Sequence, residues 1–400
     1  MDYIQRRKNV INEMKENSIF VFFNVRPFED ASKYDVDRNF YYLTGLLEFD
    51  NILVLKKGKE ISEKLYIHRI DLQQEKWTGK TIRKDEAIKI SGIQNIDYID
   101  NFYADLTKMV EADTCLYTLF KEDDSLNYSY EEVFRKKVQT DFNLTLINGN
   151  NILKKYRSIK DNEEVELIRK ANLITNEGLK AILSNLKPGL LEYQVESYFD
   201  QAIKFNGATG YSFPTIAASG INGTCLHYSE NNSIINDGDL ILFDLGASLN
   251  TYCADISRTY PANGKFTERQ KLVYNIVLNG QKLIESKAKP GYTTRELNQI
   301  LVDYFYDELK KIGLVNTKEE VFKYYFHGVS HHLGMDCHDF CIYDSLKPGA
   351  VISNEPGLYI PEWNIGIRIE DDLLITENGN INLSAGVIKE IDEIEDFMSR

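Results

Sequence analysis

Two pairs of acidic residues narrow the fold more than any other feature of this chain. Asp244 ends the apolar run D-L-I-L-F-D, and Asp255 follows eleven residues later. Glu355 and Glu370 are spaced in the same spirit within the stretch from Phe326 to Asp372. Folding each segment as an antiparallel hairpin sets the two acids of a pair opposite one another. The first hairpin then turns at Leu249-Asn250 and the second at Glu362-Trp363, just after Pro361. Directly opposed side chains hold their Cβ atoms about 4.5–5.5 Å apart, where like charges destabilise the ladder. Four carboxylates brought together cannot all stay ionised without a counter-charge. Two divalent cations supply it, so the chain is expected to close its hairpins around two metal ions. Oxygen-rich ligation with one imidazole suits Mn²⁺, Fe²⁺ or Co²⁺, with Zn²⁺ as a further candidate.

The imidazole has an obvious source. F-H-G-V-S-H-H-L-G-M-D-C-H-D holds four of the six histidines: His327, His331, His332 and His338. His327 and His331 are four apart, a spacing that shares a helical face. His332 then points elsewhere and reads as packing or surface, while His338 belongs to a loop or a new element. Spacing alone leaves open which of them meets a metal. His227 stands in G-T-C-L-H-Y-S-E, a loop of small and polar residues.

At 400 residues the chain exceeds the size at which single cores stop growing, which predicts two domains. Short β-rich runs at 18–24, 51–57, 64–70, 96–99 and 114–120 alternate with helical patterns at 84–90 and 128–139, behind a surface helix over 2–17. This predicts an α/β domain with a mixed sheet over residues 1–153. Its segment Y-D-V-D-R-N-F-Y-Y-L-T-G reads as aromatic core. A second domain, 154–400, opens on an amphipathic helix whose N-cap is Asp161, with Glu164 closing a capping box. Lys187-Pro188-Gly189 and Lys289-Pro290-Gly291 each join two helical stretches, and each half then delivers a strand pair with two acids. That pattern predicts an internal duplication.

The net charge of −14 argues against nucleic acid as a partner. Five scattered cysteines without C-x-x-C read as reduced, buried thiols. The longest apolar run near the N-terminus, Ile19 to Phe23, is too short to span a bilayer. The expectation is a cytoplasmic protein with no membrane partner.

D-L-G-x7-A-D-I-S-R-T, H-G-V-S-H-x2-G, N-E-P-G-L-Y and G-I-R-I-E-D-D together resemble the pita-bread metallopeptidases. That family includes aminopeptidase P, prolidase, methionine aminopeptidase and creatinase. The first aromatic segment and the C-terminal N-L-S-A-G-V-I-K-E-I-D-E-I-E-D-F-M resemble aminopeptidase P in particular, and methionine aminopeptidase lacks these features. The resemblance implies an Xaa-Pro aminopeptidase, or alternatively an Xaa-Pro dipeptidase, acting on proline-containing peptides through a hydroxide that bridges two metals, Mn²⁺ first. It implies metal ligation by Asp244, Asp255, His331, Glu355 and Glu370, with Asp255 and Glu370 shared. Glu355 would also shuttle a proton. His338 and His227 would orient the substrate carbonyl, with His327 lining the same pocket. Phe213 would form a wall for proline, and Tyr359 and Arg368 would support the ligands and pocket. A non-catalytic peptide-binding module would be expected to lose ligands, and this chain loses none. Ser257 replaces a common threonine, Asn39 stands where aspartate is frequent, and the segment from Ile360 to Gly366 is short. Relatives also imply a homodimer or larger homo-oligomer, with Trp77 as a candidate to approach a partner's cleft.

Overall fold

The computed structural model describes residues 1–27, 31–120 and 130–400. These form two compact units, Met1–Tyr156 and Arg157–Arg400.

In the first unit, six strands form one sheet in the order β4-β3-β2-β1-β5-β6. They are β1 (Ser18–Asn24), β2 (Asn51–Lys57), β3 (Ser62–Ile67), β4 (Ile96–Tyr98), β5 (Cys115–Thr118) and β6 (Thr145–Asn148). β1 pairs antiparallel with β2 and parallel with β5, so the sheet is mixed as expected. All seven residues of β1, S-I-F-V-F-F-N, are buried, as a central strand covered on both faces requires. The helices are α1 (Tyr3–Glu13), α2 (Arg38–Thr44), α3 (Glu75–Thr78), α4 (Lys84–Ser91), α5 (Phe102–Met109) and α6 (Tyr130–Phe142), followed by α7 (Asn150–Arg157). The start of the expected helix at Tyr128 lies outside the described residues. The aromatic segment is core: Phe40, Tyr41 and Tyr42 of α2 are buried. α1 is less of a surface helix than its charges suggest. Arg7 is fully buried, donating to the Leu43 carbonyl at 2.8 Å and pairing with Glu63 at 2.7 Å.

The second unit begins with α8 (Asn162–Asn185) and α9 (Glu192–Phe205). Asp161 caps α8 by accepting from the Glu163 and Glu164 amides, and Glu164 reciprocates. The strands β7 (Gly210–Tyr211), β8 (Ile216–Ser219), β9 (Leu240–Leu245), β10 (Ala247–Leu249), β11 (Tyr252–Cys253) and β12 (Ile256–Pro261) follow. The second half repeats the plan: α10 (Glu268–Lys287), α11 (Thr294–Lys311), then β13 (Val351–Asn354), β14 (Gly357–Ile360), β15 (Ile365–Arg368), β16 (Asp371–Ile375) and β17 (Asn380–Asn382), ending in α12 (Ile391–Met398). Each half builds a three-stranded sheet, β12-β9-β8 and β13-β16-β17.

The duplication runs deeper than Lys-Pro-Gly. G-L-K-A-I-L-S-N-L-K-P-G (178–189) and G-Q-K-L-I-E-S-K-A-K-P-G (280–291) agree in spacing, and each agreement has a physical job. Gly178 and Gly280 sit where α9 and α11 cross their partner helices. A Cβ there would fall 2.3 Å from Phe199 and 2.9 Å from Leu301. Gly189 and Gly291 adopt φ of 91° and 94°, which favours glycine, and each hands its amide to a carbonyl near the next sheet, Ile235 or Leu346. A large apolar cluster packs the unit, with Val195, Phe199, Phe243, Val277, Leu301, Phe305 and Ile367 among its fully buried members, and a smaller one gathers Ile216, Ala218, Leu242 and Tyr359. Among the described residues, no helix is long and apolar enough to cross a membrane.

Candidate metal centre

The two acid-bearing hairpins reach the same cavity by different registers. In the second, Asn354 pairs with Asp371 and Gly357 with Arg368, so Glu355 and Glu370 fall opposite one another as expected. Pro356 divides the ladder into two sheets at that point. In the first, the expected register is corrected. Asp244 pairs with Ser257, and Asp255 lies in the unpaired link between β11 and β12. The turn falls at Asn250 and Thr251, which carry φ of 48° and 73°, one residue later than expected. Two positive φ values suit the twist of a two-residue hairpin. The displacement is two residues along the strand, an even number, so Asp255 stays on the face of Asp244.

The histidine segment is also corrected: it is not helical. Residues 329–333 run extended beside β13, with the His331 carbonyl accepting from Ser353 N, Glu355 N donating to Val329 O, and an isolated bridge from His332 to Ile352. His327 and His331 still face one cavity, because an even separation keeps one side in an extended chain as well. His332 packs instead, its Nδ1 buried.

Ligating atoms of Asp255, His331 and Glu370 lie within 4.8 Å of one another. His331 Nε2 is 3.3 Å from Asp255 Oδ2 and 3.6 Å from Glu355 Oε1. Its Nδ1 lies 3.2 Å from the His332 carbonyl, which only accepts, so Nδ1 carries the proton and Nε2 is presented to the acids. Ser257 Oγ sits between the hairpins, 2.7 Å from Glu370 Oε2 and 3.1 Å from Asp244 Oδ1. Arg368, wholly buried, donates to Ser257 Oγ at 2.6 Å, to Tyr359 Oη at 3.0 Å and to Asp244 Oδ2 at 2.5 Å. Tyr359 passes its own proton to His327 Nε2 at 2.9 Å, and His327 Nδ1 meets the Gly328 carbonyl at 2.7 Å. Tyr359 thus stands behind the cavity, whereas Arg368 lines it.

The electrostatics of this cluster follow from its burial and its crowding of acids. Burial and then neighbouring carboxylates drive the Glu370 carboxyl well above its ordinary range. Burial raises Asp244 against the pull of Arg368, and raises Glu355 to about 7 against His331 and Arg368. Burial would lower His331, but Asp255 and Glu355 hold it up at about 9. Burial and then Arg368 bring His327 down to about 4. An oxygen-rich donor set around one presented imidazole nitrogen fits a divalent cation.

The cavity beside this cluster measures about 660 Å³, within the range of small-ligand sites. Phe213, Pro214, Ile216 and Leu226 give it apolar lining, and His227 and His338 face it with the acids. All the site residues expected from the sequence except Tyr359 line it. Cys337 was missed: read as a buried hydrophobe, it instead lines the cavity with Sγ 2.9 Å from Asp255 Oδ2. Its place between His331 and His338 was the available signal. Asp372 was missed too; it accepts the Asp255 amide at 3.1 Å and Asn172 Nδ2 at 2.7 Å, fixing Asp255 from behind.

Comparisons with known proteins agree with this geometry. Residues 166–377 match the profile of metallopeptidase family M24, and residues 3–117 that of the aminopeptidase P N-terminal domain. The Xaa-Pro aminopeptidase of Escherichia coli (strain K12) is 32% identical over 428 residues, covering 99% of this chain and 97% of that one. A Bacillus anthracis structure assigned to aminopeptidase P matches with a TM-score of 0.95 at 41% identity, over 99% of this chain and 97% of that one. A variant of Escherichia coli aminopeptidase P in complex with substrate matches with a TM-score of 0.90 at 31% identity, over 100% and 98%. The first unit is accordingly an aminopeptidase P N-terminal domain and the second a pita-bread catalytic domain. With a profile match over more than half its length and a relative of this identity along nearly all of it, the chain belongs to metallopeptidase family M24.

Proposed function

We propose that this metallopeptidase removes the N-terminal residue from peptides whose second residue is proline, as an Xaa-Pro aminopeptidase. The observation that carries the reading is the acid and histidine cluster lining an apolar-walled cavity large enough for a short peptide. Asp244, Asp255, His331, Glu355 and Glu370 would hold two divalent ions, Mn²⁺ first, with Asp255 and Glu370 shared. When bound, the ions supply Lewis acidity and a water-derived nucleophile at neutral pH. Glu355, beside His331 at the edge of the cluster, would also hold and return the proton that the reaction moves. His338 and His227 donate to the carbonyl before proline, where negative charge develops. His327, oriented by Tyr359, shares that pocket, and Phe213 packs against the proline ring.

A strict dipeptidase needs a free cation for the carboxylate that follows proline. Arg368, the arginine among the described cavity-lining residues, is wholly buried, and its charge is already paired with Asp244 while it also donates to Ser257 and Tyr359. That favours the aminopeptidase over the dipeptidase. Comparing kcat/KM for Ala-Pro-Ala and Ala-Pro tests the choice. The tripeptide should be cleaved at least as well; a tenfold preference for the dipeptide, about 1.4 kcal/mol in transition-state binding, moves the chain to the dipeptidases.

We also infer a homodimer or larger assembly, formed through the N-terminal domain. Trp77, on α3, leaves 90% of its surface exposed and is the residue offered for that contact. Sedimentation at micromolar concentration should show more than one chain per particle, and a monomer would remove the idea.

A further inference from the structure

We infer that Glu192 is a positioning residue for substrate binding, acting through the loop that carries His227. This rests on the assignment of His227 to the substrate carbonyl.

Glu192 opens α9 and is fully buried. Its carboxylate accepts five hydrogen bonds. Oε1 takes Ser219 N at 2.7 Å, Ser219 Oγ at 2.7 Å and Asn222 Nδ2 at 3.1 Å. Oε2 takes the Tyr228 hydroxyl at 2.8 Å and Ser233 N at 2.9 Å. A carboxylate offers about four lone-pair directions, so five donors saturate it. All five belong to residues 219–233, the last residue of β8 and the link that leads from it to β9. That link places Leu226, His227, Tyr228 and Ser229 along the cavity, so Tyr228 both lines it and is tied to Glu192.

The arrangement is a clamp rather than a single contact. One helical turn further, Glu196 Oε2 accepts from Asn231 Nδ2 at 2.9 Å. Asn231 also donates to Thr215 O at 2.8 Å and accepts Ala217 N at 3.0 Å. The same face of α9 therefore grips both ends of the loop. No other carboxylate among the described residues gathers donors from one loop in this number, and Glu192 itself does not line the cavity.

The discriminating experiment is a cycle between Glu192→Gln and His227→Ala, read as kcat, KM and metal content with Ala-Pro-Ala. An amide turns one carboxylate oxygen into a donor, so the N–H groups facing it lose their acceptor: Ser219 N and Asn222 Nδ2 on one side, or Ser233 N on the other, while the Ser219 and Tyr228 hydroxyls can reverse. E192Q should lower kcat/KM by about 10–100-fold through a displaced loop while metal content stays at the parent level. H227A should cause a loss of similar size, and the double variant should be no worse than H227A alone. Asn222→Ala removes two bonds from outside the cavity, to Glu192 and to Ser233 Oγ, and should give a smaller loss with the same non-additivity; it carries the test if E192Q folds poorly. Losses that multiply in the double variant, or an E192Q enzyme within twofold of the parent, overturn the positioning role. An H227A enzyme as active as the parent overturns the assignment of His227 instead.

Discussion

Glu370 and Asp371 are adjacent in sequence, equally buried, and opposite in circumstance. Asp371 is surrounded by donors. Arg258 Nη2 lies 2.6 Å from Oδ1, and Lys389 Nζ, Gln281 Nε2 and Asn382 Nδ2 lie 2.5, 2.8 and 2.8 Å from Oδ2. Burial alone would raise its carboxyl, yet Arg258 and Lys389 bring it down to about 2. Glu370 faces Asp255, Glu355 and Asp244 with Arg368 as its opposing charge, and its carboxyl is driven up. Depth is therefore not what separates a structural acid from a site. The balance of charge around it is: one cluster is neutralised within itself, and the other carries more acids than cations.

The largest effect should come from breaking the acid-rich cluster. Asp255→Ala should lose both metal ions and at least about 10⁴-fold in kcat/KM, because a shared ligand serves two sites. Metal analysis after reconstitution with excess Mn²⁺ checks it, against about two ions per parent chain. Full metal retention in the variant would sink the bridging role.

Breaking the neutralised cluster should cost fold stability instead. Asp371→Asn strands Arg258 and Lys389 without their anion and should destabilise by about 3–5 kcal/mol in urea unfolding, while metal content per folded chain holds. Loss of metal with unchanged stability would erase the contrast drawn between the two acids. The sign of the pH effect follows from the depressed carboxyl. Asp371 contributes stability above its unfolded pKa of about 3.9, and that contribution is lost as pH falls toward about 2.

The smallest effect sharpens the comparison from the metal side. His331 in the metal-free protein keeps its proton up to about 9, and that proton must leave before the ring can ligate. Apparent metal affinity should climb by tenfold or more per pH unit between about 7 and 9, because Glu355 and Glu370 hold raised protons beside His331, then level off. Chelator competition across that range measures it. A flat profile would mean that Asp255 does not hold the proton on His331.

Legibility in the sequence followed the local physics. The glutamate hairpin could be registered because Pro361 and the short segment before Gly366 leave one place to turn. The aspartate hairpin slipped because its turn uses Thr251 at φ 73°, and threonine carries no turn signal of the kind glycine does. The histidine spacing suited a helix and an extended chain equally, since four is even and also about one helical turn. Only pairing with β13 decides, and that pairing is non-local. Strand alternation in the first unit was readable wherever apolar runs were continuous, as in β1 and β2. The Gly-x-Lys part of the repeat was present but unread, because a glycine inside a helix matters only once the helix it touches is known. Glu192 was unreadable for the same reason: its partners lie some 27–41 residues downstream.

The alternation that separates Glu370 from Asp371 has a consequence for how this protein can change. Each point substitution there disables one cluster and spares its neighbour. Deleting a single residue just before them moves every later side chain back by one place, so that Asp371 takes the position of Glu370 and Asp372 that of Asp371. The cavity then receives a shorter acid, and Asp372 leaves the Asp255 amide and Asn172 that it now accepts from. This stretch is thus a reading frame in three dimensions, open to revision letter by letter and closed to any change of length.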